Sequence, residues 1–264
     1  MDEISTDPKV INAAIAEAFK EEPKVVVTVA PSSNQVNLPG GYISPGGSLA
    51  KYAEVRELNG ADEEAIAKSG SIGRALTTIL QKGLESIGGE PVAKGALDNL
   101  LAADRDVILL GIRKVTFGET VDYGATCPSC ATEQILTIDL DKDVEIVELE
   151  NPIEDRTWLV ELKSGNATVT LPTGDVQRKL MDSLDKTSAE MNTLLLAESV
   201  LAVNGKASMG TPTVLKLGMA DREKLIDAIL QKNPGPRLGE VKKACQACGE
   251  FINTPLSLMA LFRL

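Results

Sequence analysis

The sequence predicts an α+β fold built from two similar helix-and-ribbon halves that close on one four-cysteine site, preceded by an N-terminal arm. Three observations carry that prediction. ADRDVILLGIRKV (residues 103–115) and ADREKLIDAILQK (220–232) open alike and set Asp104 and Asp221 117 positions apart. The four cysteines form two Cys-x-x-Cys pairs, Cys127/Cys130 and Cys245/Cys248, offset by 118 positions. Between these landmarks one order occurs twice: strand, acidic helix start, apolar helix, Ala-Asp-Arg helix, strand, cysteine pair, strand. A near-constant offset held over so many elements is the signature of an internal duplication.

The elements follow from spacing and punctuation. Residues 8–20 place Ile11, Ile15 and Phe19 four apart, the stripe of a short helix that either packs on its own domain or docks on a neighbour. In NQVNLPGGYISPGG, paired glycines and prolines interrupt short extended runs, as in an irregular hairpin or loop. YAEVREL (52–58) alternates as a strand, and GADEEAIAKS starts a helix with acids where the helix dipole favours them. SIGRALTTILQKGLESI (71–87) reads as a second helix and LAADRDVILLGIRKV as a third; strands at ETVDYGA and EQILTIDL flank the first cysteine pair. In the second half, TWLVEL and NATVTL are strands about a KSGN turn, and PTGDVQRKLMDSL follows. AEMNTLLLAESVLAV and LGMADREKLIDAILQK are helices, and GEVKKA and GEFINTPLSL bracket the second pair. Leu100 aligns with Leu217, Ile108 with Leu225 and Leu109 with Ile226. The resulting divisions are an arm over 1–50, a first half over 51–150 and a second over 151–264.

Composition narrows the function. At 264 residues with 43% hydrophobic and 25% charged, the chain can bury a sizeable core. Net charge is −11, which disfavours a phosphate-binding surface for nucleic acid or anionic membrane. Histidine is absent, removing the commonest general base, and no nucleophile–base set is recognisable, so an enzyme is not expected. The acidic start MDEISTDPKV lacks the apolar core of a secretory signal, and the longest apolar runs are too short to span a bilayer, so the chain reads as a soluble protein made in the cytosol.

Two thiolates three residues apart can grip one metal ion at a tight turn, and structural zinc wants four such ligands. Each half supplies two. Neither completes a site alone, so Cys127, Cys130, Cys245 and Cys248 are expected to share one structural zinc ion at an approximate two-fold axis. Gly249, just after the last cysteine, suits the turn. A thioredoxin-like redox pair, two disulfides and an iron–sulfur cluster are the alternatives. The first expects one pair in a βαβ context, the second is uncommon in the cytosol, and the third uses the same thiolates. Elsewhere, LPGGYISPGG lacks the Gly-Lys-Ser/Thr of a phosphate loop, and the acidic run 139–155 lacks the spacing of a calcium loop and reads as a solvated linker. Asp104 and Asp221 are expected to cap their helices, Arg105 and Arg222 to pair with acidic partners, and Lys242 and Lys243 to form a solvent-facing basic spot.

NLPGGYISPGG with AEVRELNGADEEAI, and residues 103–140 with their Asp-Arg helix and Cys-x-x-Cys strand, resemble the T-even-type baseplate hub and assembly proteins of tailed phages. Gly40 stands where that family has a serine in its Leu-Pro-Ser-x-Gly opening. The resemblance covers about a third of the chain and carries over Cys127 and Cys130 as metal ligands and Asp104 and Arg105 as helix-start residues. It implies a non-enzymatic virion protein of the tail baseplate, assembled in the host cytoplasm and working through contacts with other tail proteins. A transient assembly chaperone of the hub is the alternative within that setting. A zinc-ribbon nucleic-acid factor is the alternative outside it, set back by the acidic charge. The N-terminal stripe and the tail PLSLMALFRL, with Leu258, Leu261, Phe262 and Leu264, are the expected contact segments.

Overall fold

The computed structural model describes residues 34–254 and 256–262; the stripe Ile11, Ile15 and Phe19, and Leu264, lie outside the described residues. The architecture is α+β. Strands β1 (Gln35–Ile43), β2 (Leu49–Val55), β3 (Leu84–Ile87) and β4 (Glu90–Pro91) form one antiparallel sheet in sequence order. Helices α1 (Gly60–Ala67) and α2 (Ile72–Gly83) lie between β2 and β3, and α3 (Ala96–Asn99) and α4 (Ala102–Phe117) follow the sheet. Then comes the two-stranded ribbon β5 (Thr120–Thr126) and β6 (Glu133–Asp139).

After β7 (Ile146–Val147) the order runs again. Strands β8 (Thr157–Leu162), β9 (Gly165–Thr170), β10 (Val200–Val203) and β11 (Lys206–Ala207) make the second sheet, again in sequence order. Helices α5 (Gly174–Met181) and α6 (Ser188–Ser199) intervene between β9 and β10; α7 (Thr211–Val214) and α8 (Met219–Lys232) follow. Strand β12 (Gly235–Pro236) leads to the ribbon β13 (Lys242–Ala244) and β14 (Phe251–Asn253), and α9 (Leu258–Phe262) closes the described chain.

Local chemistry sets two of the helix starts. Asn59 and Asp62 make a reciprocal capping box at α1, and Thr187 and Glu190 make another at α6. Two boundaries differ from expectation: the predicted second helices stop at Gly83 and Ser199, and their last residues are β3 and β10. The turns that follow, Gly88-Gly89 and Asn204-Gly205, all have positive φ (63°, 81°, 50° and 72°). This is the two-residue hairpin turn that such dipeptides favour, and it draws the preceding residues into a sheet. The segment Asn37–Gly47 is an irregular hairpin as expected, with a register shift between Asn37 and Tyr42, but β1 belongs to the first sheet rather than to an arm.

The two Ala-Asp-Arg helices carry different loads. Helix α4 is central and buries Val107, Ile108, Leu109, Leu110 and Ile112, whereas α8 buries Asp221, Leu225 and Ile229 against its own sheet. The main core around α4 also takes in Val241, Leu256, Leu258 and Leu261 from the end of the second half. This corrects the expectation for the tail. Leu258 and Leu261 are buried in the chain's own core, and the Leu261 carbonyl accepts from Arg113 Nε at 2.9 Å, so these side chains are not a contact face. The acidic run 139–155 is likewise no solvated linker: Val144 is buried, β7 pairs with β12, and Leu149 N donates to Pro39 O. Lys243 is not a free basic spot either, because it pairs with Asp143 at 2.5 Å.

The repeated Ala-Asp-Arg has a different purpose from capping. The N-cap positions are Leu101 and Gly218, and neither makes a side-chain cap bond. Asp104 instead accepts the Gly40 amide of β1 at 2.7 Å, and Asp221 accepts the Lys163 amide at 2.7 Å and the Ser164 hydroxyl at 2.7 Å in the β8–β9 turn. Arg105 donates to Thr77 of α2 and to the Gly174 carbonyl; Arg222 donates to Thr193 of α6 and to the Val214 carbonyl. The arginines thus reach hydroxyls and carbonyls rather than the acidic partners expected of them. In each half the aspartate fastens the first hairpin and the arginine fastens the second helix. Gly40 fits the same account, because a Cβ there would overlap Leu101 and crowd Asp104.

Burial pushes the Asp104 carboxyl up to about 6, against the lowering pull of the Gly40 amide and then of Arg156. A folded value above the unfolded one makes its contribution to stability complete below about pH 4 and lost as pH rises through 6. Asp104→Asn keeps an acceptor for Gly40 and does not ionise. Its stability relative to the parent should therefore improve by up to about 3 kcal/mol between pH 4 and pH 8. Urea unfolding at both pH values measures this, and a difference that ignores pH contradicts it.

Candidate metal centre

The two cysteine pairs sit in matching turns. In the first, Cys127 N donates to Thr132 O (3.0 Å) and Ala131 N to Cys127 O (2.9 Å), with Ala131 at φ 57°. In the second, Cys245 N donates to Glu250 O (2.8 Å) and Gly249 N to Cys245 O (2.9 Å), with Gly249 at φ 78°. The left-handed residue follows the second cysteine of each pair directly, and glycine takes that conformation without cost at residue 249.

The ribbons bring all four predicted residues together. The sulfurs of Cys127, Cys130, Cys245 and Cys248 lie within 4.8 Å of one another. Two of the Sγ–Sγ distances, Cys127–Cys248 and Cys130–Cys245, are 3.7 Å, and each crosses from one ribbon to the other. The cysteines are free thiols, far from the roughly 2.05 Å of a disulfide. A tetrahedral ion with metal–sulfur bonds of about 2.3 Å has sulfurs roughly 3.8 Å apart. The donor set and its spacing therefore fit a single four-coordinate ion, and leave no room for a cluster of several irons and sulfides.

The surroundings divide the four thiols. Cys127 and Cys245 are buried over Leu136 and Ile252, a small apolar floor contributed by both ribbons; Cys130 and Cys248 are exposed. The Gln134 side-chain amide beside Cys245 holds that thiol low, at about 6, and the Thr132 hydroxyl beside Cys130 lowers Cys130 as well. At Cys248 the Glu250 amide pulls downward, but the Cys130 thiol, burial and the other two thiols outweigh it and push the group up to about 12. Four sulfurs this close cannot all ionise against one another. A bound dication would remove that conflict, because thiol ligands bind as thiolates.

Gln134 was not among the residues singled out from sequence. Its one signal is position: it shares the inward face of β6 with Leu136 and Ile138, where a polar side chain needs a partner.

The fold and the cluster define an α+β protein whose two ribbons, over a hundred residues apart in sequence, meet at a four-thiol centre. Compared with protein-family models, residues 51–204 match the family described as T4 bacteriophage base plate protein. That span is more than half of the chain, and the chain belongs to this family: it is a component of a T4-type phage tail baseplate. The match runs from β2 to the end of β10, takes in Cys127 and Cys130, and ends before Cys245 and Cys248. No curated protein and no solved structure matches. Among the described residues, no helix is long and apolar enough to cross a membrane.

Proposed function

We propose that this chain is a non-enzymatic structural part of the baseplate hub or tail tip, assembled in the host cytoplasm, and that one zinc ion on Cys127, Cys130, Cys245 and Cys248 ties two duplicated units together. The units are residues 51–150, joined by β1, and residues 151–264. Family membership carries the reading of place. The closeness of the four sulfurs supports the ion, and the recurring order of sheet, helices and ribbon supports the duplication. Leu159, Met209, Leu215 and Met219 of the second unit are largely exposed, which supports burial against neighbouring tail proteins.

Mass spectrometry of purified virions tests the role: the chain should appear alongside other baseplate proteins. Absence from finished particles, with presence in assembling tails, would replace a structural role by that of an assembly factor. The proposed contact arm has its own test. A chain lacking residues 1–20 should fold and bind metal but enter tails poorly. Normal incorporation would make the arm dispensable, and failure to fold would assign it to the core.

A further inference from the structure

We infer that Gln134 is the positioning residue that joins the two halves of the metal site. It lies on β6 in the first half, and both ends of its amide reach into the second cysteine turn. Nε2 donates to the Cys245 sulfur at 3.0 Å, and Oε1 accepts from the Gln246 backbone amide at 2.9 Å. The Gln246 side chain answers by donating to the Ile135 carbonyl at 3.3 Å, so the turn is fastened to β6 at three points.

The arrangement is one-sided. The residue 118 positions after Gln134 is Ile252, which is buried in the apolar floor and has no polar atom to offer. Among the described residues no side-chain amide reaches from the second ribbon to Cys127 or Cys130; the Cys130 thiol donates locally to the Thr132 hydroxyl at 3.3 Å. The first half therefore supplies the alignment, and the second turn receives it.

This inference rests on the reading of the four cysteines as a metal site. An N–H···S bond disperses charge from a metal-bound thiolate, and the second contact sets the turn that presents Cys245 and Cys248. Outer partners of this kind are typically worth about 10- to 100-fold in metal affinity. They also leave a mark on the ligand itself, because removing an N–H donor raises the donor strength of the sulfur.

The test is a Co²⁺ titration of the full chain, freed of metal, against a competing chelator, following the sulfur-to-cobalt charge-transfer band. The parent should bind one Co²⁺. Gln134→Ala, which loses both contacts, should bind about 10- to 100-fold more weakly with a shifted band. Gln134→Glu can still accept from Gln246 but cannot donate to Cys245, and should show the band shift while holding the turn. Thr137→Ala, exposed on the outward face of the same strand and away from the cysteine turns, should match the parent. If Gln134→Ala fails to fold by circular dichroism, the band of Gln134→Glu decides the matter. Parent-like affinity and band in both Gln134 variants would overturn the role of Gln134 and leave the metal site standing. A parent that binds no Co²⁺ would overturn both.

Discussion

Replacing Cys245 and Cys248 together by serine is expected to lower the melting temperature by roughly 10 °C. An ion that binds only the folded chain stabilises it by about 4 kcal/mol when free metal exceeds the dissociation constant a thousandfold. For a chain of this size each kcal/mol moves the midpoint by roughly 2–4 °C. The second ribbon depends on that contribution more than the first. Strands β13 and β14 pair through three residues each, whereas β5 and β6 pair through seven. Without the ion, the second ribbon keeps the Leu136–Ile252 floor and the Gln134 contacts. Stripping metal from the parent with a chelator should reproduce the loss without changing a residue. Equal midpoints for parent, stripped parent and double variant, by differential scanning calorimetry, would contradict the account.

Gly174→Ala should cost about 3 kcal/mol, at the upper end of overpacking changes, or roughly 6–12 °C. Gly174 opens α5 where the second half docks on the turn between α3 and α4. Its N donates to Leu100 O at 2.7 Å, Ala102 N donates to Pro172 O at 2.9 Å, and Leu101 bridges to Thr173. A Cβ at residue 174 would overlap the Leu97 carbonyl oxygen and come within 2.6 Å of Arg105 Cδ. A backbone oxygen cannot swing aside as a side chain can. Relief therefore requires α5 to move, which strains the bonds from Arg105 to Gly174 O and from Gln177 to Asp106. Gly218→Ala is the control, because a Cβ there meets nothing within 4 Å. Equal melting temperatures for the two variants would mean that the junction yields and is not the close-packed contact described.

Much of this was legible because two sequence landmarks recur at nearly one offset. Cysteine pairs at one offset and Ala-Asp-Arg at nearly the same offset exposed the element order and the four residues that meet. What stayed hidden depends on partners far away in sequence. Asp104 in a first helical turn looks like a cap; only the fold brings Gly40, 64 positions earlier, to its carboxylate. Leu258 and Leu261 have the pattern of an exposed apolar tail until Arg113 and the main core receive them. The hairpins β3–β4 and β10–β11 were signalled locally by Gly88-Gly89 and Asn204-Gly205. Their first strands nevertheless continue an apolar run out of a helix, and helical periodicity absorbed them. Gln134 announces itself least, because a single glutamine on a strand carries no spacing to read.

The central claim is that one ion is shared between two ribbons, neither of which suffices alone. Elemental analysis of the purified chain tests it most directly. About one zinc per chain is predicted for the parent, and none for either Cys127→Ser with Cys130→Ser or Cys245→Ser with Cys248→Ser. Two zinc ions per parent chain, or metal fully retained by a chain left with a single cysteine pair, would contradict it.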